Sequence, residues 1–174
     1  MDTTIRPASR DDLRELAELV ANFKREHSRM IGGSKEINPQ NLVEEVEERL
    51  DKRKQGYFVA TNPSTEGATG NLLGFRRWKC EEDFYFSKAL YVEPDARRSG
   101  VAKALIQHFE DWLLEKGQEV ACISCTPHNI AMIKLARSEG YDILNTIELR
   151  KHLTDNPPEH RDEKRALGLN WKVL

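Results

Sequence analysis

The sequence predicts one mixed α/β domain over residues 1–174, a mostly antiparallel central sheet with helices on both faces. Three observations point to it. Two amphipathic helical stretches are followed by three strand-like runs, which meander antiparallel when their connections are short. A later strand–helix–strand order demands a crossover, and so a parallel neighbour. Between these parts an apolar run, Ala89-Leu90-Tyr91-Val92, turns into a helix through Arg97-Arg98-Ser99-Gly100-Val101-Ala102.

The elements follow in order. Thr3 to Arg6 reads as a short strand. Ser9 caps a helix, with Asp12 as the capping-box carboxylate and Leu13, Leu16, Ala17, Val20 and Phe23 on one face. After a polar loop around Met30 to Lys35, Asn38-Pro39 starts a second helix running to about Lys54. Acids fill its early turns and bases its last, and Gly56 is expected to stop it. Strands are expected at Tyr57–Thr61, Leu72–Lys79 and Phe84–Val92, the first two joined by a hairpin with a flexible, Pro- and Gly-rich tip. A helix from Val101 ends at Gly117, and Glu119–Cys125 reads as a strand. Pro127-His128-Asn129 opens a helix closed by Gly140. Ile143–Arg150 is expected as a strand, Thr154–Lys164 as a loop, and Leu167–Val173 as the last strand.

The loop at 97–102 carries the chemistry. A helix start leaves its first N–H groups without intrahelical acceptors, all aimed one way at the positive end of the dipole, which suits a phosphate or pyrophosphate. Gly100 and Ala102 keep side chains out of the approach, and Arg97 and Arg98 add charge. It is neither a Walker loop nor a three-glycine dinucleotide fingerprint, and a plain helix start with solvated arginines reads equally from these residues alone.

Composition narrows the field. Net charge is −2, with 39% apolar and 32% charged residues, so nucleic acid is not favoured as a partner. No apolar run spans a membrane and the N-terminus lacks a signal peptide's basic start and apolar stretch, so a cytoplasmic location is the expectation. Cys122 and Cys125 read C-x-x-C. On a strand, residues three apart face opposite ways, so neither a metal nor a redox pair is expected.

With that loop and order of elements the chain resembles the GNAT superfamily of acyl-CoA-dependent N-acyltransferases. The resemblance rests on Arg97 to Ala102 after Leu90-Tyr91-Val92-Glu93-Pro94, and on a second motif read at Asn129, Met132, Leu135, Ala136, Gly140 and Tyr141. It implies a splayed parallel strand pair, the strand ending at Val92 beside the one ending at Cys125, parted by a bulge. It implies acetyl-CoA as co-substrate, with no metal. Its pantetheine arm would bond Leu90, Tyr91 and Val92, and its pyrophosphate the amides of Arg98, Ser99, Gly100, Val101, Ala102 and Lys103 with Arg97. Asn129 would touch the arm or simply cap its helix. Many relatives pair as dimers, and Phe84 and Phe86 would line the cleft or a subunit contact.

The implied reaction is attack of an amine on the thioester, with the Leu90 N–H donating to the oxyanion. Neutralising a lysine-like amine of pKa about 10.4 at pH 7 costs roughly 4–5 kcal/mol, which a base or desolvation must offset. Where histone-type relatives hold a glutamate, this chain has Phe86; where many hold a thiol-protonating tyrosine, it has Ala136. Glu81, Glu82, Asp83, Glu119, His128 and Ser124 are the remaining candidates, the carboxylates more often solvated turn or strand-end groups, His128 a helix-start histidine and Ser124 the weaker relay from the strand. Tyr91 and Tyr141 fit packing.

The leading reading is an N-acetyltransferase acting on a primary amine, small molecule or peptide. A non-catalytic acyl-CoA-binding sensor and an unrelated mononucleotide binder are the alternatives. Glu26, Glu36, Glu44, Glu45, Glu159, Asp162 and Glu163 lie in the segments that wall the family's acceptor site. Interleaved Arg25, Arg29, Lys35 and Arg161 favour solvated faces over a cation-binding one. Neither the acceptor nor the acyl length is legible in the sequence.

Overall fold

The structure is a computed structural model that describes residues 3–34, 36–62, 72–146, 148, 151 and 153, and the backbone of 162–166 and 169–173. Its strands are β1 (Thr4–Pro7), β2 (Gln55–Thr61), β3 (Leu72–Glu81), β4 (Phe84–Val92), β5 (Cys122–Ile123), β6 (Asp162–Ala166) and β7 (Leu169–Val173). The helices are α1 (Leu13–Met30), α2 (Val43–Leu50), α3 (Val101–Glu115) and α4 (Ile130–Ser138). Strands β1 to β5 form one sheet in sequence order, antiparallel throughout except for the parallel β4·β5 pair; β6 and β7 pair with each other.

Alternation along the strands sorts the core onto two faces. Tyr57, Val59, Phe75 and Tyr91 pack under α1 and α2 with Leu16, Val20, Leu42 and Val46. Phe58, Ala60 and Val92 pack under α3 with Val101, Leu105, Phe109 and Leu113. The helices therefore cover both faces, as the order of elements predicts.

Local chemistry explains the boundaries. The Asp12 carboxylate accepts from the Ser9 N–H (2.7 Å) and hydroxyl (3.1 Å), and a 3₁₀ turn over Arg10–Asp12 leads into α1. The Asn38 side chain accepts from the Gln40 N–H before α2. That helix ends at Leu50 rather than near Lys54. The basic run becomes a turn, because the Lys54 carbonyl accepts from the Cys80 N–H and Gln55 already pairs with Lys79 in the sheet. Gly56 is thus not a helix stop but a strand residue, where a Cβ would lie 2.9 Å from the Trp78 ring.

The second half departs further from the sequence expectation. Strand β5 has two residues instead of the seven from Glu119 to Cys125. Its ladder to β4 consists of Phe86↔Cys122 and Ser87↔Ile123 and stops there. Residues 143–146 form no strand, with Ile143 86% and Leu144 73% exposed; an apolar β-branched run makes a strand only where a ladder and a buried face await it. Strand β6 begins at Asp162, inside the segment expected as a loop. The hairpin tip at 63–71 lies outside the described residues, as do 147, 149 and 150.

Candidate functional site

The site is built where β4 leaves the sheet. Arg77 pairs with Ala89 and Trp78 with Ser87, so Lys88 is the extra residue of a bulge in β4. A bulge bends its strand, and this one falls at the point where pairing with β5 ends. Beyond it, the Glu93 N–H donates to the Leu73 carbonyl at 2.9 Å. Backbone groups alternate sides along a strand, so those of Tyr91 and Glu93 face β3 while those of Leu90 and Val92 face the widening gap toward β5. This is the splayed parallel pair the resemblance implies.

The chain then makes a 3₁₀ turn over Pro94–Ala96 and enters α3 through two left-handed residues, Arg98 (φ 61°) and Gly100 (φ 92°). The Ser99 hydroxyl donates to the Ala96 carbonyl at 2.6 Å and steadies the turn. The first α3 amide bonded back along the helix is that of Ala104, which donates to Gly100 at 2.9 Å. The N–H groups of Val101, Ala102 and Lys103 precede it without intrahelical acceptors. A Cβ at Gly100 would meet nothing within 4 Å, so the space above the loop is open. What requires glycine there is its positive φ.

Arg97 serves the scaffold rather than pointing freely over the loop. Its Nε donates to the Val92 carbonyl (2.9 Å), its Nη2 to Glu26 on α1 (2.7 Å), and its guanidinium lies 5.5 Å from the Tyr91 ring centroid. Burial opposes its charge, but Glu26 outweighs burial and raises its pKa. The Lys103 ammonium reaches Glu139 beyond α4 at 3.2 Å, and Arg98 is exposed. Asn129 caps α4, its side-chain oxygen accepting from the Met132 N–H at 3.0 Å.

The candidate acid–base groups scatter. Glu81 lies 3.1 Å from both Lys88 and Lys79, Lys88 first among the causes that lower its pKa, which makes it a poor proton acceptor. Glu119 is exposed in the turn after α3. His128 is half-buried with both ring nitrogens shielded from solvent. Phe86 packs on Phe84 (5.0 Å), Ala136 is buried in α4, and Ser124 is exposed. Burial and then Glu93 push the Tyr91 hydroxyl up to about 12; burial and Glu110 push Tyr141 up further, and its hydroxyl donates to Glu110 at 2.6 Å. Cys122 and Cys125 are free, and among the described residues no group of three or more His, Cys, Asp or Glu is placed to hold a metal.

The structure adds three residues to the site region. A Cβ on Gly74 would lie 2.4 Å from the Tyr91 carbonyl, the close approach that an isolated strand glycine signals. Asn22 bonds Glu93 across α1 and β4. Arg76, paired with Leu90 and 0% exposed, lies 4.2 Å from the Phe109 ring centroid, and burial lowers its pKa; in the sequence it looks like any strand arginine.

Comparison with known proteins agrees with this geometry. The family described as "Acetyltransferase (GNAT) family" matches residues 18–141, and the chain belongs to that family. No curated protein matches it. Its fold is shared with the aminoglycoside N-acetyltransferase AAC(6')-Iy in complex with CoA (20% identity, TM-score 0.68, covering 88% of this chain and 96% of that one). It is shared too with a ribosomal-protein-alanine N-acetyltransferase from Brucella melitensis biovar Abortus 2308 (19%, 0.64, 87% and 100%). An integron cassette protein of V. cholerae has the same fold (15%, 0.70, 89% and 94%). No helix among the described residues is long and apolar enough to cross a membrane.

Proposed function

We propose that this chain is an N-acetyltransferase that moves the acetyl group of acetyl-CoA to a primary amine. One observation carries the reading: the gap faced by the backbone of Leu90 and Val92 runs into the loop whose amides, Arg98 to Lys103, open α3. A diphosphate seated on those amides aims the pantetheine arm along β4, with Leu90 and Val92 as its hydrogen-bonding edge. Tyr91 packs beneath, and Asn129 borders the arm from α4 while capping it.

The amine nitrogen attacks the thioester carbon, the Leu90 N–H donates to the developing oxyanion, and the C–S bond breaks to release the thiolate. A thiol of pKa about 8.5 leaves without an obligatory acid, which suits Ala136. Glu81 is held by Lys79 and Lys88 and Glu119 is exposed, so positioning in the gap is assigned the larger share of the acceleration. The reading includes one domain over residues 1–174, a cytoplasmic location and dimer formation.

A second reading, an acyl-CoA sensor without turnover, is favoured by the apolar Phe86 and Ala136. Calorimetry with CoA and a thiol-release assay over a panel of amines separate the two. Binding with turnover supports the transferase, binding with every thioester intact supports the sensor, and no binding overturns both.

A further inference from the structure

On the α1/α2 side of the sheet, cations outnumber acids around β3. Glu45 is shared by Lys24 (2.8 Å) and Arg49 (2.6 Å), and Glu81 by Lys79 and Lys88 (3.1 Å each). Between these triads stands Arg77, half-buried, with no carboxylate within ion-pair distance among the described residues. It faces the same side as Phe75 and Lys79, being two residues from each on β3, and the Tyr57 hydroxyl is its neighbour there. Its cross-strand partner is Ala89, next to the Lys88 bulge and one residue before Leu90.

Five cations thus meet two carboxylates on this side of the sheet. The Lys88 ammonium lies 4.7 Å from the centroid of the Phe86 ring, at the position where histone-type relatives hold a carboxylate. Lys79 pairs with Phe86, and also lines a cavity of about 540 Å³ with Lys52, Arg53, Lys54 and Gln55, four cations and no acid. Burial, and then the Arg49 charge, lower the pKa of Arg77, and the opposing pull of the Tyr57 hydroxyl and of Glu45 does not make up the difference.

We propose that the acceptor is a small primary amine carrying a carboxylate or phosphate, with that anionic group held by Arg77 and Lys79 on the α1/α2 side of β3, across β4 from the β4·β5 gap. A guanidinium engages either oxyanion through paired charge-assisted bonds. The same positive surroundings disfavour an ammonium and favour the neutral, nucleophilic amine, which answers the absence of a base at Phe86. A polycationic acceptor is repelled by the same field.

This inference rests on the transferase reading, and its test separates the two. With acetyl-CoA fixed, thiol release is compared for 4-aminobutyrate against 4-aminobutyramide, for phosphoethanolamine against ethanolamine, and for spermidine and kanamycin. At least one anionic amine should exceed its neutral twin ten-fold or more in kcat/KM, with both polycations below the neutral amines. Arg77→Gln and the more exposed Lys79→Gln should each shrink that advantage several-fold through the KM of the anionic amine, with CoA uptake by calorimetry as in the parent. A preference for neutral or polycationic amines, or an advantage untouched by both substitutions, overturns it. If no amine is acetylated, the same pairs are titrated by calorimetry into CoA-loaded protein, or into free protein if CoA does not bind. Tighter binding of the anionic twin still supports the proposal, and equal or absent binding overturns it.

Discussion

The side-chain amide of Asn22 donates to the Glu93 carboxylate at 2.9 Å, joining residues 71 apart in sequence. Its oxygen in turn accepts from Arg25 at 2.7 Å, and the Tyr91 hydroxyl donates to the other Glu93 oxygen at 3.4 Å. Together with Arg97–Glu26 at 2.7 Å, these contacts tie helix α1 to the end of β4 and to the loop that follows it.

Asn22→Ala leaves a half-buried Glu93 without its amide donor. A hydrogen bond to a charged group contributes about 1.5–3 kcal/mol, so urea unfolding should show a loss toward the lower end of that range. CoA affinity should fall with it, because the loop loses its tether. Unchanged affinity alongside the stability loss separates the tether from the site.

Gly100→Ala forces a side chain into φ 92°, where the left-handed backbone costs roughly 1–2 kcal/mol. Nothing within 4 Å would clash with the new Cβ, so Gly100→Asn, which tolerates that φ, should recover much of the stability. CoA binding should be weakened by both, since either side chain enters the space above the amides.

Gly74→Ala places a methyl 2.4 Å from the Tyr91 carbonyl and 3.0 Å from the Val92 Cα. Overpacking of this kind costs typically ~1–3 kcal/mol. Because the displaced backbone flanks Leu90 and Val92, acetyl transfer should fall more than thermal stability does. A variant with lowered Tm and normal turnover would contradict the placement of the reacting edge.

Asp12 gives a pH dependence with a definite sign. Burial raises its pKa, but Arg6, with two bonds of 2.7 Å, and Ser9 outweigh burial and leave it lowered. Its contribution is therefore full above the unfolded carboxylate pKa of about 3.9 and is lost as pH falls through the lower folded value. Asp12→Asn should cost ~1–2 kcal/mol at pH 7, the scale of a helix cap, and flatten the acid limb of stability against pH.

The first half of the fold was legible because its signals are local. Ser9 with Asp12, Asn38-Pro39 and the alternation through Tyr57–Ala60 each fix an element by themselves. Gly56 misled because a strand glycine under a Trp ring and a helix-ending glycine look alike in sequence. The strand expected at Glu119–Cys125 is shortened to Cys122–Ile123 and residues 143–146 form none, for a nonlocal reason: a strand's length depends on the ladder it meets, and the Lys88 bulge carries β4 away from β5. The loop at 97–103 was legible as a helix start, yet the tethering of Arg97 by Glu26 is a contact across 71 residues that no spacing reveals.

The central claim is that the amides of Arg98 to Lys103 and the edge of Leu90 and Val92 receive CoA. Backbone amide shifts of ¹⁵N-labelled protein, titrated with CoA, test it residue by residue. Saturable shifts are expected to concentrate at Leu90, Val92 and Arg98–Lys103, with Gly100→Asn diminishing them. Binding that leaves those amides unmoved, or no binding at all, would contradict it.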